Sequence, residues 1–486
     1  MPPTNISRTV MSGLRWVTVS RLLAQLLTWI ITFVVIRLVS PTDYGLATLA
    51  GLFANYLSLL NELGFSVTLV QRQTRDEETL RHVFGAVLAV GILWTLLLVL
   101  AAPLIGVITR EPRVVPLARF VAIQFLTMPF GVIPQARLSM DMRFRRLATA
   151  DAAAALIGGA VTLLMALAGR GAWSLVVGVV VTTAARTLLL NLLCRVLRAP
   201  RLELSRLRDF AGFSGLVLLQ NSLWYWYTQV DSFVVGRALG AAELGVYAVA
   251  RQLTNIPLER VMGIINSVAL PAFSMVKTDA EHVRRGYLKV LRMVAGYAFP
   301  VFWGLAVVSE PLVRLLAGPK WLASVPVIQL LCVSMPLRML NAVTSSALTA
   351  VARQDVTIKS LLLAIVVMPG CIVAGSHWGV LGVAAAWAVV FPFVYFFNVI
   401  LVHRALQIPA AAMAAALWPA AVAAGVMALV TRSVSVVWLS TLPTLLNLTA
   451  AVGLGAAVFG ATLRLVSRPA AREMLEFARA VATHRA

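Results

Sequence analysis

The sequence predicts an all-α membrane protein that crosses the bilayer about fourteen times. Its 486 residues are 60% hydrophobic and only 12% charged, and the mean hydropathy is +0.89. Soluble domains have about 45–50% apolar and about 25% charged residues. A helix that crosses the hydrocarbon needs about 20 mostly apolar residues, and runs of that length recur along the chain. They lack the alternation of β-barrel spans.

Fourteen apolar runs are long enough to span the bilayer. The first follows several arginines without a small-residue cleavage site, so we expect a retained span rather than a cleaved signal peptide. Polar residues interrupt the second, eighth and tenth runs. The runs cover approximately residues 17–39, 44–64, 83–108, 115–136, 148–168, 172–193, 211–236, 243–271, 289–309, 323–349, 358–375, 379–402, 409–431 and 438–464.

The distribution of Lys and Arg predicts the orientation. Segments on the side of the N-terminus hold about three times as many Lys and Arg as the opposite segments. Cytoplasmic connections carry this excess, so we expect both termini in the cytoplasm. The net charge of +22 is therefore a topology signal that also attracts anionic lipids, and it does not indicate nucleic acid.

The sequence shows no enzyme or metal motif. Its three cysteines lie in or beside apolar runs, and its five histidines form no metal-binding spacing. A phosphate-binding G-x-x-x-x-G-K-[ST] loop is missing from the sequence. We therefore expect no metal and no bound cofactor. The short connections leave no room for a soluble domain.

A connector occurs twice at an offset of 200 residues. "RLVSPTDYG" ends at Gly45 and "RALGAAELG" ends at Gly245. Residues 33–55 and 233–255 share seven identities in 23 ungapped positions, among them Asn55 and Asn255. We expect an internal duplication with six spans per copy. Since six is even, both copies have the same orientation, related by an axis along the membrane normal.

The duplication predicts the domain organisation. We expect an N-lobe at 1–200, a C-lobe at 201–405, and two unpaired spans with a basic tail at 406–486. "GRGAWSLVVG" (169–178) and "GSHWGVLGVA" (375–384) open the sixth and twelfth spans and support the pairing.

Several segments resemble the polysaccharide flippases of the Wzx type. They are "VIRLVSPTDYGLATLA", "NSLWYWYTQVDSFVVGRALGAAELGVYAVARQL", "SMDMRFRRLATAD" and "GAWSLVVG". Such proteins belong to the multidrug/oligosaccharidyl-lipid/polysaccharide exporter superfamily. The resemblance implies two parallel six-helix lobes around a central cavity that opens alternately to each face. It implies a flippase in the bacterial inner membrane that translocates an undecaprenyl-diphosphate-linked oligosaccharide.

Two other functions remain as alternatives. An ion-coupled multidrug antiporter of the same superfamily would favour cavity acids, whereas arginines outnumber clear acids within these spans. A membrane-embedded sugar polymerase or ligase would favour a large outer loop. The flippase interpretation implies membrane lipids, a glycan polymerase and export machinery as partners, and coupling to H+ or Na+.

Polar residues within spans are the candidate site residues, because ionisable groups in hydrocarbon usually face a bundle interior or a wet cavity. Arg251, Asn255 and Glu259 recur at i, i+4 and i+8 in the eighth span, on one helical face. Asn55 is the repeat partner of Asn255. We expect these residues to line the cavity; the alternative is that Arg251 and Glu259 only join neighbouring helices.

Further arginines could bind a diphosphate through charge-assisted hydrogen bonds. Arg186, Arg260 and Arg338 lie inside the sixth, eighth and tenth spans. Arg21 lies near the start of the first span. It could instead extend to the cytoplasmic headgroups.

The seventh span combines aromatic residues with an acid. Asp231 is the candidate for ion coupling, and its alternative role is to pair with an arginine. The preceding residues 224–227, "WYWY", could stack on sugar rings, although such residues more often pack or lie at the membrane interface.

Overall fold

The protein was analysed as a computed structural model that describes residues 25–62, 69, 76–194, 200–201, 215–275, 280–350, 353–439 and 441–483. Within these ranges the chain forms helices joined by short connections and contains no strand. It divides into two compact units, Met1–Gly245 and Val246–Ala486. The lobes predicted at 1–200 and 201–405 remain a prediction.

The first unit holds nine described helices and the start of a tenth. They are α1 Gln25–Leu38, α2 Pro41–Glu62, α3 Glu77–Thr109, α4 Val114–Val121, α5 Gln124–Thr127, α6 Pro129–Met140, α7 Phe144–Leu167, α8 Ala172–Cys194 and α9 Gly215–Leu239, followed by α10 Ala241–Met275. Helix α10 continues into the second unit.

The second unit contains seven further helices in its described part. They are α11 Ala280–Leu316, α12 Ser324–Ala350, α13 Gln354–Ser376, α14 Gly379–Leu406, α15 Ala410–Val434, α16 Thr444–Val466 and α17 Arg468–Thr483. A short 3-10 turn precedes α12, and a π-helical turn follows α15.

The predicted spans coincide with helices throughout the described residues, and the predicted all-α membrane fold is confirmed. Among the described residues, nine helices are long and apolar enough to cross a membrane, or ten if a bent pair counts as one span. That set does not include α2, α9 and α10. Helix α2 carries Asn55, and α9 carries Asp231. Helix α10 carries the stripe of Arg251, Asn255 and Glu259. These polar residues reduce the hydropathy of the three helices.

The fourth span differs from the straight helix predicted at 115–136. It consists of α4, α5 and α6, with a bend of 44° between Val114–Thr127 and Pro129–Met140. Pro129 begins α6, and its ring removes a backbone donor that a continuous helix would use. A Cβ on Gly91 of α3 would overlap the carbonyl oxygen of Phe125, so α3 approaches this break closely.

The two repeated connectors pack against each other inside the first unit. A Cβ on Gly45 would overlap the carbonyl oxygen of Ala241, and a Cβ on Gly245 would overlap the carbonyl oxygen of Pro41. The Ser40 hydroxyl accepts a hydrogen bond from the Asp43 amide and donates one to the Asp43 carboxylate, which caps α2. Glycine at both positions is therefore required for a backbone-to-backbone approach.

Helices α7 and α8 form a hairpin with a reciprocal glycine–threonine contact. A Cβ on Gly158 would overlap the Thr182 hydroxyl, and a Cβ on Gly178 would overlap the Thr162 hydroxyl. Each threonine donates a hydrogen bond to the glycine carbonyl four residues earlier in its own helix, at 2.8 Å and 2.7 Å. Small residues four apart allow membrane helices to pack closely.

The α13/α14 hairpin of the second unit is also closed by glycines. A Cβ on Gly382 would overlap the carbonyl oxygen of Gly375. Elsewhere in this unit α17 packs on α11, where Met474 lies against Gly296 and Arg292 pairs with Glu473 at 3.2 Å. The contact joins the C-terminal helix to a membrane span.

Candidate functional site

The predicted site residues belong to both compact units. Asn55, Arg186 and Asp231 lie in the first unit, and the second unit holds the α10 residues and Arg338. Arg21 lies outside the described residues, and the side chain of Arg260 is likewise not described.

Arg338 lies close to the midpoint of α12. Its Cζ is 4.4 Å from the ring centroid of Trp387 on α14, in a cation–π contact. Its Nη1 also lies 3.9 Å from the Met335 sulfur. Within the described part of the chain no carboxylate lies within ion-pairing distance of Arg338. This mid-span guanidinium therefore has no neutralising acid among the described residues.

Polar side chains surround the next turns of the same helices. The Asn398 amide of α14 donates a hydrogen bond to the side-chain oxygen of Asn341 on α12. One turn along α12, the Thr344 hydroxyl lies 2.9 Å from the Tyr287 hydroxyl of α11. The Tyr395 hydroxyl and the Asn398 side-chain oxygen are buried without a hydrogen-bond partner. Helices α11, α12 and α14 thus enclose a polar cluster.

Arg186 has a different environment in the first unit. Its Nε donates to the Asp151 carboxylate of α7 at 2.7 Å, and its Nη1 donates to the Gln135 side chain of α6 at 3.2 Å. The pair is partly exposed, with 36% of the Arg186 side chain and 52% of the Asp151 side chain accessible. Arg186 therefore joins three helices, and its charge is balanced.

The α10 residues lie on one continuous helix, as predicted. Arg251 and Asn255 are half-buried, and Glu259 is exposed. Arg251 is already engaged by other groups. Asn55 of α2, the predicted repeat counterpart of Asn255, is exposed. Asn55 and Glu259 are therefore accessible, each within its own unit. That these residues line a cavity and contact the substrate stays a prediction.

Asp231 is buried in α9 with 3% of its surface accessible. Its carboxylate accepts a hydrogen bond from the Ser232 amide at 2.6 Å, and it has further interactions. The carboxylate is enclosed by protein and does not face open space. The ion-coupling role stays a prediction.

The aromatic residues of α9 pack mainly against α2. Trp226 lies 6.1 Å from Phe53 and 5.3 Å from Tyr56, measured between ring centroids. The Tyr225 hydroxyl donates to the carbonyl oxygen of Leu52. Trp224 is the exception, since 51% of its surface is accessible. Most of these rings therefore pack against other helices, as the sequence analysis expected.

Sequence reasoning missed the partners of both mid-span arginines. Asp151 and Trp387 were not predicted as site residues, although "RRLATAD" ends at Asp151. An acid at the fourth position of the predicted run at 148–168 is a signal that could have found Asp151. No signal in the sequence pairs Trp387 with Arg338, because 49 residues separate them. No group of three metal-ligating side chains occurs among the residues that the structure describes.

Comparison with known proteins decides the family. The family described as "Polysaccharide biosynthesis protein" matches residues 34–326, which is more than half of the chain. The chain belongs to this polysaccharide biosynthesis protein family. Its resemblance to flippases of the Wzx type is thereby confirmed.

Two curated relatives of this family member match most of its length. The lipopolysaccharide biosynthesis protein WzxC of Escherichia coli K12 is 27% identical over 78% of this chain and 78% of its own length. The succinoglycan biosynthesis transport protein ExoT of Rhizobium meliloti is 25% identical over 99% of this chain and 98% of its own. The second match includes the C-terminal helices.

A solved structure supports the fold of the family member. The lipid II flippase MurJ, in an inward closed conformation, matches with a TM-score of 0.70 over 93% of this chain and 99% of that chain. Since only 12% of residues are identical, this likeness concerns the fold alone. The two curated relatives confirm the predicted class, a multi-pass membrane transport protein rather than an enzyme.

Proposed function

We propose that the protein is a flippase for an undecaprenyl-diphosphate-linked oligosaccharide in the bacterial inner membrane. The substrate would move from the cytoplasmic to the outer leaflet while its prenyl chain stays in lipid. Both termini would lie in the cytoplasm. Relatives named for lipopolysaccharide and succinoglycan biosynthesis support a glycan substrate, and Arg338 supports an anionic one.

The observation that carries the proposal is that Arg338 lies on an aromatic ring and pairs with no acid among the described residues. A cation at mid-span is expensive in hydrocarbon, about 3 kcal/mol on insertion scales, and it is usually found where function needs it. A guanidinium presents five N–H donors in a planar arrangement that suits phosphate oxygens. A diphosphate entering the bilayer with its sugar would supply the counter-charge that no described residue provides for Arg338.

Alternating access is the mechanism that this proposal implies. The diphosphate and sugar would occupy a polar interior, and the binding site would open first to the cytoplasm and then to the outside. Asp231 is the proposed group for coupling to H+ or Na+, since a buried carboxylate can exchange its proton or bind a cation. A glycan polymerase and export machinery would consume the product.

A deletion strain tests the function. We expect lipid-linked repeat units to accumulate in the cytoplasmic leaflet and to disappear when the wild-type gene is restored. Arg338→Ala should fail to restore export at normal membrane abundance, and Arg338→Lys should restore it partially. Normal polysaccharide export in the deletion strain, with lost drug resistance, would overturn the proposal in favour of a drug antiporter.

A further inference from the structure

We propose that Trp387 is a positioning residue that holds the Arg338 guanidinium without neutralising it and directs its N–H donors toward a phosphate group. This inference rests on the proposed function and goes beyond it, because it assigns an anion site built from an arginine and an aromatic ring. The ligand class is the phosphate or diphosphate of a lipid carrier.

The geometry makes Trp387 a rigid support. The residue is completely buried, at 0% accessible surface, and its ring packs on Phe391 with a centroid distance of 6.0 Å. It belongs to α14, which packs along α12. Because the indole is held by protein on several sides, the guanidinium above it has one favoured position.

The cation–π contact leaves the hydrogen-bonding capacity of Arg338 largely unused. A ring attracts the guanidinium through its negative face, without accepting the N–H groups that point outward in the guanidinium plane. A carboxylate would instead accept two of those donors and neutralise the charge. The sulfur of Met335, at 3.9 Å, is a weak acceptor and does not replace an anion.

The first unit contains the contrasting case. Arg186 uses its Nε on Asp151 and its Nη1 on Gln135, so its charge is balanced by an acid. Two mid-span arginines thus have different roles in one chain. Arg186 joins helices, and Arg338 is held in a state that can accept an anion.

The choice of an aromatic support has a consequence for selectivity. A full positive charge with free planar donors favours a dianionic, multi-oxygen group over a neutral sugar hydroxyl, because hydrogen bonds between two charged groups are the stronger ones. The prenyl diphosphate part of the substrate should therefore contribute most of the affinity at this site. A prenyl alcohol of the same length should bind much more weakly.

Site-specific fluorination of tryptophan provides the test. Fluorine atoms withdraw charge from the ring face and leave the shape of the side chain nearly unchanged. Position 387 of the full-length purified protein would be replaced by mono-, di- and trifluorotryptophan through amber suppression. Binding of geranylgeranyl diphosphate would be measured for each protein, with geranylgeraniol as the uncharged comparison. Trp321, which is also completely buried in the second unit, is the matched control position.

We expect the dissociation constant for geranylgeranyl diphosphate to rise stepwise with fluorination at 387. The total increase should be about threefold to tenfold, the change that corresponds to losing a cation–π contact. The same series at 321 should change binding less than twofold. Trp387→Phe should retain part of the affinity, and Trp387→Leu should lose it.

The outcomes separate this inference from the proposed function. If Arg338→Ala abolishes binding but fluorination at 387 has no effect, Arg338 binds the anion and the role of Trp387 is overturned. If wild-type protein does not prefer the diphosphate over the alcohol, the anion site and the proposed function are both overturned. Equal losses from fluorination at 387 and 321 would show a general packing effect and overturn the role of Trp387.

Discussion

Gly45 and Gly245, two hundred positions apart in the sequence, occupy reciprocal positions in the structure. Each lies where a Cβ would overlap a backbone carbonyl oxygen of the other connector, Ala241 for Gly45 and Pro41 for Gly245. Duplicated segments that meet in this way make a symmetric contact between helix starts. The predicted duplication would account for the presence of the same glycine twice.

A Cβ at Gly45 should destabilise the protein. The atom that it would overlap is a backbone oxygen, which cannot move aside as a flexible side chain can, so the helix starts must separate. We expect Gly45→Ala to cost about 1–3 kcal/mol, as overpacking does. Gly51→Ala in the same helix is the control, because its Cβ has no neighbour closer than 3.8 Å. Equal thermal midpoints in detergent would contradict the contact.

The α7/α8 hairpin should respond unequally to its two glycines. A Cβ on Gly158 also approaches the carbonyl oxygen of Gly178 to 2.9 Å, whereas the backbone nearest to a Cβ on Gly178 is at 3.5 Å. We therefore expect Gly158→Ala to lower the thermal midpoint more than Gly178→Ala. Gly460→Ala, with no atom within 4 Å of its Cβ, should leave the midpoint unchanged. The reverse order would show that the threonine side chains dominate.

The Arg186–Asp151 pair should behave as a coupled structural unit. Arg186→Gln and Asp151→Asn should each lower thermal stability, because each leaves an unbalanced charge within the spans. The double variant should recover part of the loss, with a coupling energy of about 1 kcal/mol. Additive losses would mean that the pair does not contribute. Export should fall in proportion to protein abundance, in contrast to the Arg338 variants.

Arg251 offers a separate test of the predicted cavity stripe. Arg251→Ala should abolish polysaccharide export while the protein remains in the membrane at normal abundance. Gln252→Ala, at the neighbouring half-buried position off the stripe, is the control and should preserve export. If Arg251→Ala protein is instead missing from the membrane, Arg251 joins helices and has no direct role in transport.

Asp231 should determine the ion dependence of transport. In proteoliposomes, we expect the rate to rise with an imposed H+ or Na+ gradient for wild-type protein. Asp231→Asn removes the charge at nearly constant size and should reduce that dependence by about tenfold or more, while substrate binding persists. A variant that keeps the full gradient dependence would assign Asp231 a structural role.

Much of the fold could be predicted because hydrocarbon imposes a simple rule. Each span must be about 20 apolar residues long, and the backbone must satisfy its own hydrogen bonds by forming a helix. The predicted run at 358–375 lies within α13, and the run at 172–193 nearly coincides with α8. The bend at Pro129 was missed, since prolines also lie inside several unbroken helices and only packing decides where a span breaks.

The candidate site was only partly predictable. A mid-span arginine is visible in the sequence because it is rare in hydrocarbon, which is why Arg186 and Arg338 were both found. Their partners are not visible. Asp151 lies 35 positions from Arg186 and Trp387 lies 49 from Arg338, so only the folded chain shows which group each guanidinium meets.

The sequence by itself determined the membrane environment, the helical spans and the family, since these depend on local composition or on matching segments. The tertiary structure alone decided that one mid-span arginine is neutralised by an acid and another rests on an aromatic ring. Both side chains carry the same charge and lie at similar depth within their helices. Their difference depends on which neighbouring helix brings a carboxylate or an indole within about 4 Å, where electrostatic interactions are strong.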